Sequence, residues 1–208
     1  MGMSKEAAQR KTEILDAAEK LFTTKGYAKT TINDILHEVE IAKGTFYYYF
    51  TSKKEVMNAV VDRFVDLEVN AAKAVKADQT LSAPEKILKI IMGQNQHELR
   101  KEKMIEELHV VGNAEMHQKS LTETILKLTP ILTDVIEQGI SEGVFATPYP
   151  KETIEILLVS ASFIFDEGVF QWTPEEKLQK ASAFIYILEN VLAAKKGSFQ
   201  YLLKKLSR

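Results

Sequence analysis

Apolar residues recur three and four positions apart along nearly all of the 208-residue chain, and strand-like alternation of apolar and polar residues is absent. Glycine and proline separate the periodic segments from one another. This pattern predicts an all-α fold. The predicted helices are 5–25, a short helix capped by Thr31, a second short helix within 41–50, a helix from Ser52 to about Ala77, then 84–102, 104–117, 121–142, 151–171, 174–195 and 198–206.

The composition is that of an ordinary globular protein, with 45% hydrophobic and 27% charged residues. The chain has no cysteine, which excludes disulfides and thiolate metal sites and fits a reducing compartment. No apolar run approaches the roughly 20 residues that a membrane span needs. The N-terminal residues also lack the apolar core of a signal peptide. These observations predict a soluble cytoplasmic protein without a membrane partner.

The segment IAKGTFYYYF at 41–50 places three tyrosines in a row between two phenylalanines. Successive residues of a helix are rotated by about 100°, so three consecutive rings cannot share one face. On such a helix Phe46 and Phe50 lie on one side, with Tyr49 flanking them. We therefore expect the two phenylalanines to be buried. The opposite face is predicted to carry Gly44, Thr45, Tyr47 and Tyr48, with Lys43 at the helix start.

That opposite face is unusual for a helix that serves stability alone. Glycine costs about 1 kcal/mol inside a helix, but it permits another backbone to approach closely. Tyrosine and threonine hydroxyls and a lysine amine are the donors that phosphate oxygens and base edges accept. Two short helices joined by a tight turn form a helix-turn-helix, whose second helix enters the major groove. The starts of the second and fourth helices, at Thr31 and Lys53, are candidate phosphate sites.

The stretch TTINDILHEVEIAKGTFYYYFTSKKEV at 30–56 resembles the DNA-binding segment of TetR-type transcriptional repressors. The shared pattern is a Thr-Thr helix start, a turn, Lys-Gly-Thr-aromatic-Tyr-x-Tyr-Phe, and then Ser-Lys-Glu. The resemblance covers roughly residues 10 to 60. Position by position, it implies DNA contacts from Thr31, Lys43, Gly44, Thr45, Tyr47, Tyr48 and Lys53. Two positions depart from the pattern: Glu40 replaces a common turn glycine, and Ala42 replaces a common capping Ser or Thr.

The resemblance also implies a division of the chain and a set of partners. Residues 1–55 are expected to form the helix-turn-helix domain, and 56–208 a helical domain for effector binding and dimerisation. The expected partners are a palindromic double-stranded operator, a small and largely apolar effector that releases the protein from DNA, and a second copy held through the helices at 151–171 and 174–195. The expected function is transcriptional repression. The alternative is a helical carrier or sensor of small molecules that acts through protein partners.

The apolar run SASFIFDEGVF is interrupted by Asp166, Glu167 and Gly168. A carboxylate there must be paired, exposed or directed into a cavity. One hypothesis is an effector pocket lined by Gln96, His97, Met104, Phe163 and Glu167. A salt bridge across a dimer interface explains the carboxylates equally well.

The four histidines show no metal-ligand spacing, and no catalytic triad can be argued from the sequence. We therefore expect no metal, no cofactor and no enzymatic activity.

Overall fold

The computed structural model describes residues 5–92 and 114–203, and all regular structure in these ranges is helical. This confirms the all-α prediction. The helices, numbered here in chain order, are α1 Lys5–Lys25, α2 Ile32–Val39, α3 Lys43–Tyr49, α4 Lys53–Ala77, α5 Ala83–Met92, α6 Ala114–Ser141, α7 Pro150–Ile164 and α8 Pro174–Val191, followed by a 3₁₀ turn at Gln200–Leu202.

The helix predicted at 151–171 is shorter than expected and ends at Ile164. The side chain of Asp166 accepts a hydrogen bond from the Gly168 N–H at 2.8 Å, which folds the next residues into a turn. The indole Nε1 of Trp172 then donates to the Ile164 carbonyl at 2.9 Å. The interruption noticed in the sequence therefore terminates the helix, because a local side-chain hydrogen bond replaces the helical ones.

Two other predicted boundaries were also wrong. The helices expected at 104–117 and 121–142 are one continuous helix from Ala114 onward, and Ser120 lies in its interior; residues 104–113 lie outside the described ranges. The helix predicted to reach residue 195 ends at Val191, and Ala193 follows with φ of 49°. There the carboxylate of Glu189 accepts from two later backbone N–H groups, which draws the chain away from the helix axis.

The described residues separate into two compact units, 5–66 with 114–120 and 67–92 with 121–203. The division at residue 55 stays a prediction. In the first unit, Ile14, Ala18 and Phe22 of α1 are fully buried, and Leu21 of the same apolar stripe is half-buried. The second unit has its own apolar cluster, built around Ile87, Leu132, Val135, Ile136, Phe145, Ile154, Leu188 and Phe199.

Within the second unit, Phe145 packs directly against the backbone of α6. A Cβ added at Gly139 would lie 2.1 Å from Cδ2 of the Phe145 ring, so only glycine fits there. Lys86 of α5 is also buried. Its amine donates hydrogen bonds to the Lys76 carbonyl at 2.6 Å and to Gln138 Oε1 at 2.8 Å. The two hydrogen bonds of Lys86 connect α5 to the C-terminal turn of α4 and to α6.

Candidate nucleic-acid interface

Helix α2 begins with a complete capping box, as its sequence predicts. The Thr31 hydroxyl accepts from the Asp34 N–H at 3.2 Å, and the Asp34 carboxylate accepts from the Thr31 N–H at 2.7 Å. The Lys25 amine, together with the Thr31 N–H and hydroxyl, lowers the pKa of Asp34 to about 2. Since folding lowers this pKa, the capped helix start is stabilised above about pH 4 and loses that support as the pH falls toward 2.

The turn after α2 places Glu40 in the left-handed region, with φ of 55° and ψ of 46°. Its N–H donates to the His37 carbonyl, and the Ile41 N–H donates to the Leu36 carbonyl at 3.1 Å, so the end of α2 is closed by backbone hydrogen bonds. A side chain in this conformation costs about 1–2 kcal/mol. The geometry explains why the family pattern favours glycine at this position.

Ala42, the N-cap residue of α3, provides no side-chain cap, as the sequence predicts. The Ala42 carbonyl accepts from the N–H groups of Thr45 and Phe46, but no side-chain oxygen satisfies the first N–H groups of the helix. The start of α3 is therefore less supported than the start of α2.

Replacing Ala42 with serine is expected to raise the free energy of unfolding by about 1 kcal/mol, because the new hydroxyl can accept from the N–H of Gly44 or Thr45. The φ of −71° and ψ of 150° at Ala42 already suit a capping residue. Urea unfolding followed by circular dichroism measures the change. Ala42→Val, which has no hydroxyl, is the control and should bring no gain; equal effects from the two variants would contradict the capping explanation.

The rings of α3 lie where the helical rotation predicts. Phe46 and Phe50 are buried at 0% and 2% exposure, whereas Tyr47 is 44% and Tyr48 75% exposed. A Cβ added at Gly44 would meet no atom within 4 Å, so the space outside this glycine is open. We call Lys43, Gly44, Thr45, Tyr47 and Tyr48 the outward face of α3. Of these, Thr45 is half-buried and the others are exposed.

Lys53, the first residue of α4, was predicted to lie at a phosphate site, but its amine is bonded to backbone carbonyls of the same chain. Its amine donates to the carbonyls of Tyr27 and Thr30 at 2.8 Å and of Ala28 at 3.4 Å. It also lies 4.3 Å from the centre of the Tyr27 ring. Partial burial lowers the pKa of this amine. No local sequence pattern indicates these partners, because they lie 23 to 26 positions earlier in the chain.

The neighbouring Lys54 adds a second positive charge at the same helix start. Its amine pairs with the Glu115 carboxylate at 2.6 Å, and both side chains are largely exposed. Such a pair contributes little to stability and leaves the amine accessible to solvent.

The residues predicted to line an effector pocket are only partly described. Gln96, His97 and Met104 lie outside the described ranges. Phe163 is 52% exposed on α7, and Glu167 is exposed and paired with Lys177 of the same chain. The pocket therefore stays a prediction. No helix within the described residues is long and apolar enough to cross a membrane, and they contain no group of three or more potential metal ligands.

Two family descriptions match this chain. Residues 14–60 match "Bacterial regulatory proteins, tetR family", and residues 97–187 match "Tetracyclin repressor-like, C-terminal domain". The chain belongs to the TetR family. The first match covers α2, α3 and the outward face, and the family consists of transcriptional regulators and not of enzymes.

Relatives resemble this TetR-family chain over part of its length. A regulator from the lacX 3′ region of Lactococcus lactis is 54% identical over 57 residues, which are 27% of this chain and 29% of the relative. The regulator YerO of Bacillus subtilis is 27% identical over 121 residues, 58% of this chain and 42% of the relative. The matched part thus spans less than half the length of either relative.

Solved structures share the fold of the TetR-family chain over most of its length. A TetR/AcrR regulator from Thermobifida fusca is 24% identical with a TM-score of 0.59, covering 88% of this chain and 97% of that one. GusR of Salmonella enterica is 15% identical with a TM-score of 0.62, covering 89% and 96%. At these identities the likeness shows the fold alone.

Proposed function

We propose that this protein is a transcriptional repressor that binds a palindromic operator as a homodimer and leaves it when a small, largely apolar effector binds. The observation that carries the proposal is the outward face of α3. Phe46 and Phe50 are buried on the inner side of the helix, whereas Tyr47, Tyr48 and Gly44 face solvent. The proposed DNA-contacting residues are Thr31, Lys43, Gly44, Thr45, Tyr47 and Tyr48, and Lys53 supports this surface from the start of α4.

The chemistry of the outward face suits a DNA groove. The open space at Gly44 lets the helix backbone approach a sugar-phosphate chain or a base edge. The hydroxyls of Tyr47 and Tyr48 extend the reach of the helix, and the Lys43 amine supplies positive charge at its start. At the start of α2, the cap at Thr31 leaves other N–H groups of the first turn available to a phosphate.

Dimerisation is supported by apolar side chains exposed on the last two long helices. On α7 Ile156, Val159 and Phe163 lie three and four positions apart and are 65%, 49% and 52% exposed. On α8 Leu178 and Ile187 are 47% and 48% exposed. The three residues on α7 share one face, and such an exposed apolar stripe marks a contact surface. Leu178 and Ile187 lie on opposite sides of α8, because they are nine positions apart. A dimer would place two recognition helices about 34–36 Å apart, the distance between half-sites one helical turn apart.

Repression and effector release are supported by the names of relatives. KstR2 of Rhodococcus jostii, which is named a transcriptional repressor, is 37% identical over 57 residues. The A-factor receptor protein of Streptomyces griseus is 34% identical over 62 residues. An effector that prefers a dimer with a different spacing of its two recognition helices weakens DNA binding by its differential affinity, typically about 1–3 kcal/mol.

The test is Gly44→Ala, measured on the operator that footprinting locates upstream of the protein's own reading frame. Because alanine is the better helix former and its methyl group meets no atom within 4 Å, the free energy of unfolding should rise by about 0.5–1 kcal/mol. The same methyl group should obstruct the DNA backbone and weaken binding by about tenfold or more. Fluorescence anisotropy with a labelled duplex measures the affinity.

The control is Asn70→Ala, which improves helix propensity at an exposed position of α4 outside the proposed interface. It should raise stability while leaving the DNA affinity unchanged. If Gly44→Ala binds the operator as tightly as the unaltered protein, the outward face of α3 is not the DNA-binding surface, and the proposal fails.

A further inference from the structure

The position of Lys53 in α4 calls for an explanation. It is the first residue of the helix, where the positive end of the helix dipole disfavours a cation. Its amine does not extend into solvent from that position. It turns to the carbonyls of Tyr27, Ala28 and Thr30 and covers the face of the Tyr27 ring. The amine is therefore stabilised by a different segment from the helix that carries it.

The segment that Lys53 holds is the turn between α1 and α2. It begins at Gly26, whose φ of 88° ends α1, and it is closed by the Thr30 hydroxyl, which donates to the Gly26 carbonyl at 2.8 Å. Thr30 is fully buried, and the next residue, Thr31, is the cap of α2. The three carbonyls that accept from Lys53 all belong to this turn, after the last residue of α1. The amine thus fixes the backbone directly before the proposed phosphate site.

An ammonium group has three N–H donors. Three carbonyls lie within hydrogen-bonding distance of the Lys53 amine, so a phosphate could bind it only by displacing one of them. Displacement would leave a carbonyl without its charged donor in a half-buried place, which is costly. The Lys53 amine therefore cannot bind a phosphate and keep all three of its hydrogen bonds to the turn.

We propose that Lys53 is a positioning residue for DNA binding: it holds the turn before α2 so that Thr31 and the first N–H groups of α2 meet the phosphate, and it does not itself bind phosphate. This inference rests on the proposed function and changes the role that the family pattern implies for this lysine. Lys53 and Lys43 are thus expected to act differently. Lys43 is exposed on the outward face of α3 and can bind a phosphate directly.

The experiment compares Lys53→Met with Lys43→Met in operator titrations over a series of salt concentrations. A lost phosphate contact reduces the slope of log affinity against log salt by about 0.9. For Lys53→Met we expect the affinity to fall by about tenfold with an unchanged slope. For Lys43→Met we expect the slope to become shallower by about 0.9. Hydrogen exchange at the amides of residues 27–31 should accelerate in Lys53→Met and not in Lys43→Met.

Two outcomes would overturn the inference. A slope shallower by about 0.9 in Lys53→Met would make this lysine a phosphate contact, and an unchanged affinity would reduce it to a structural residue. If Lys53→Met fails to fold, Lys53→Gln, which keeps an N–H donor, replaces it in the same comparison. Failure of the proposed function gives a different result, because the unaltered protein itself would then show no salt-dependent binding to the operator. The hydrogen-exchange comparison needs no DNA, so it tests the hold of Lys53 on the turn independently.

Discussion

Replacing Arg63 with methionine is expected to lower the free energy of unfolding by about 3–5 kcal/mol. Arg63 of α4 bonds two carboxylates of α1: its Nη1 lies 2.6 Å from Asp16 Oδ1, and its Nη2 pairs with Glu19. Glu19 is only 4% exposed. Without the guanidinium, this carboxylate stays buried and loses the cation that compensates its desolvation. The effect concerns the first unit, where α1 and α4 support the helix-turn-helix.

Urea unfolding at neutral pH measures the loss, and two controls assign its cause. The double variant Glu19→Leu with Arg63→Met should recover most of the stability, because it removes both buried charges together. Lys20→Met breaks the pair between Lys20 and Glu38, whose lysine side chain is 65% exposed, and should cost less than about 1 kcal/mol. A loss below about 1 kcal/mol in Arg63→Met would show that the buried pair is not what holds these helices together.

The sequence was most informative where a structural feature depends on nearby residues. The burial of Phe46 and Phe50 and the exposure of Tyr47 and Tyr48 follow from the rotation of a single helix, and the structure confirms them. The capping box at Thr31 and the missing cap at Ala42 likewise need only the neighbouring residues. In each case the deciding interaction lies within about four positions.

Prediction failed where distant or competing interactions decide the outcome. Helix α7 ends at Ile164 because the Asp166 carboxylate bonds the Gly168 N–H, although the apolar period continues past both residues. The partners of Lys53 and of Arg63 lie more than 20 positions earlier in the chain, so no local pattern reveals them. The effector pocket is a separate case and stays a prediction, because Gln96, His97 and Met104 lie outside the described ranges.

The affinity of the unaltered protein for its operator is expected to fall by about 10³ or more between 50 and 200 mM salt. A dimer that neutralises six or more phosphates releases the counterions bound to them, and added salt opposes that release. The formal net charge of the chain is −2, so attraction between the whole protein and DNA cannot supply this dependence. It must come from basic groups placed at the interface, of which Lys43 on the outward face is the clearest example.

Fluorescence anisotropy at several salt concentrations measures this dependence, and the choice of salt provides the control. Exchanging chloride for glutamate at a fixed potassium concentration separates anion effects on the protein from release of cations by the DNA, and the cation-dependent slope should persist. A flat response would instead favour a helical carrier or sensor whose α3 contacts a protein, because a contact made of tyrosine rings and an open glycine needs no counterion release. The slope of log affinity against log salt therefore decides whether the outward face of α3 binds DNA or packs against a partner protein.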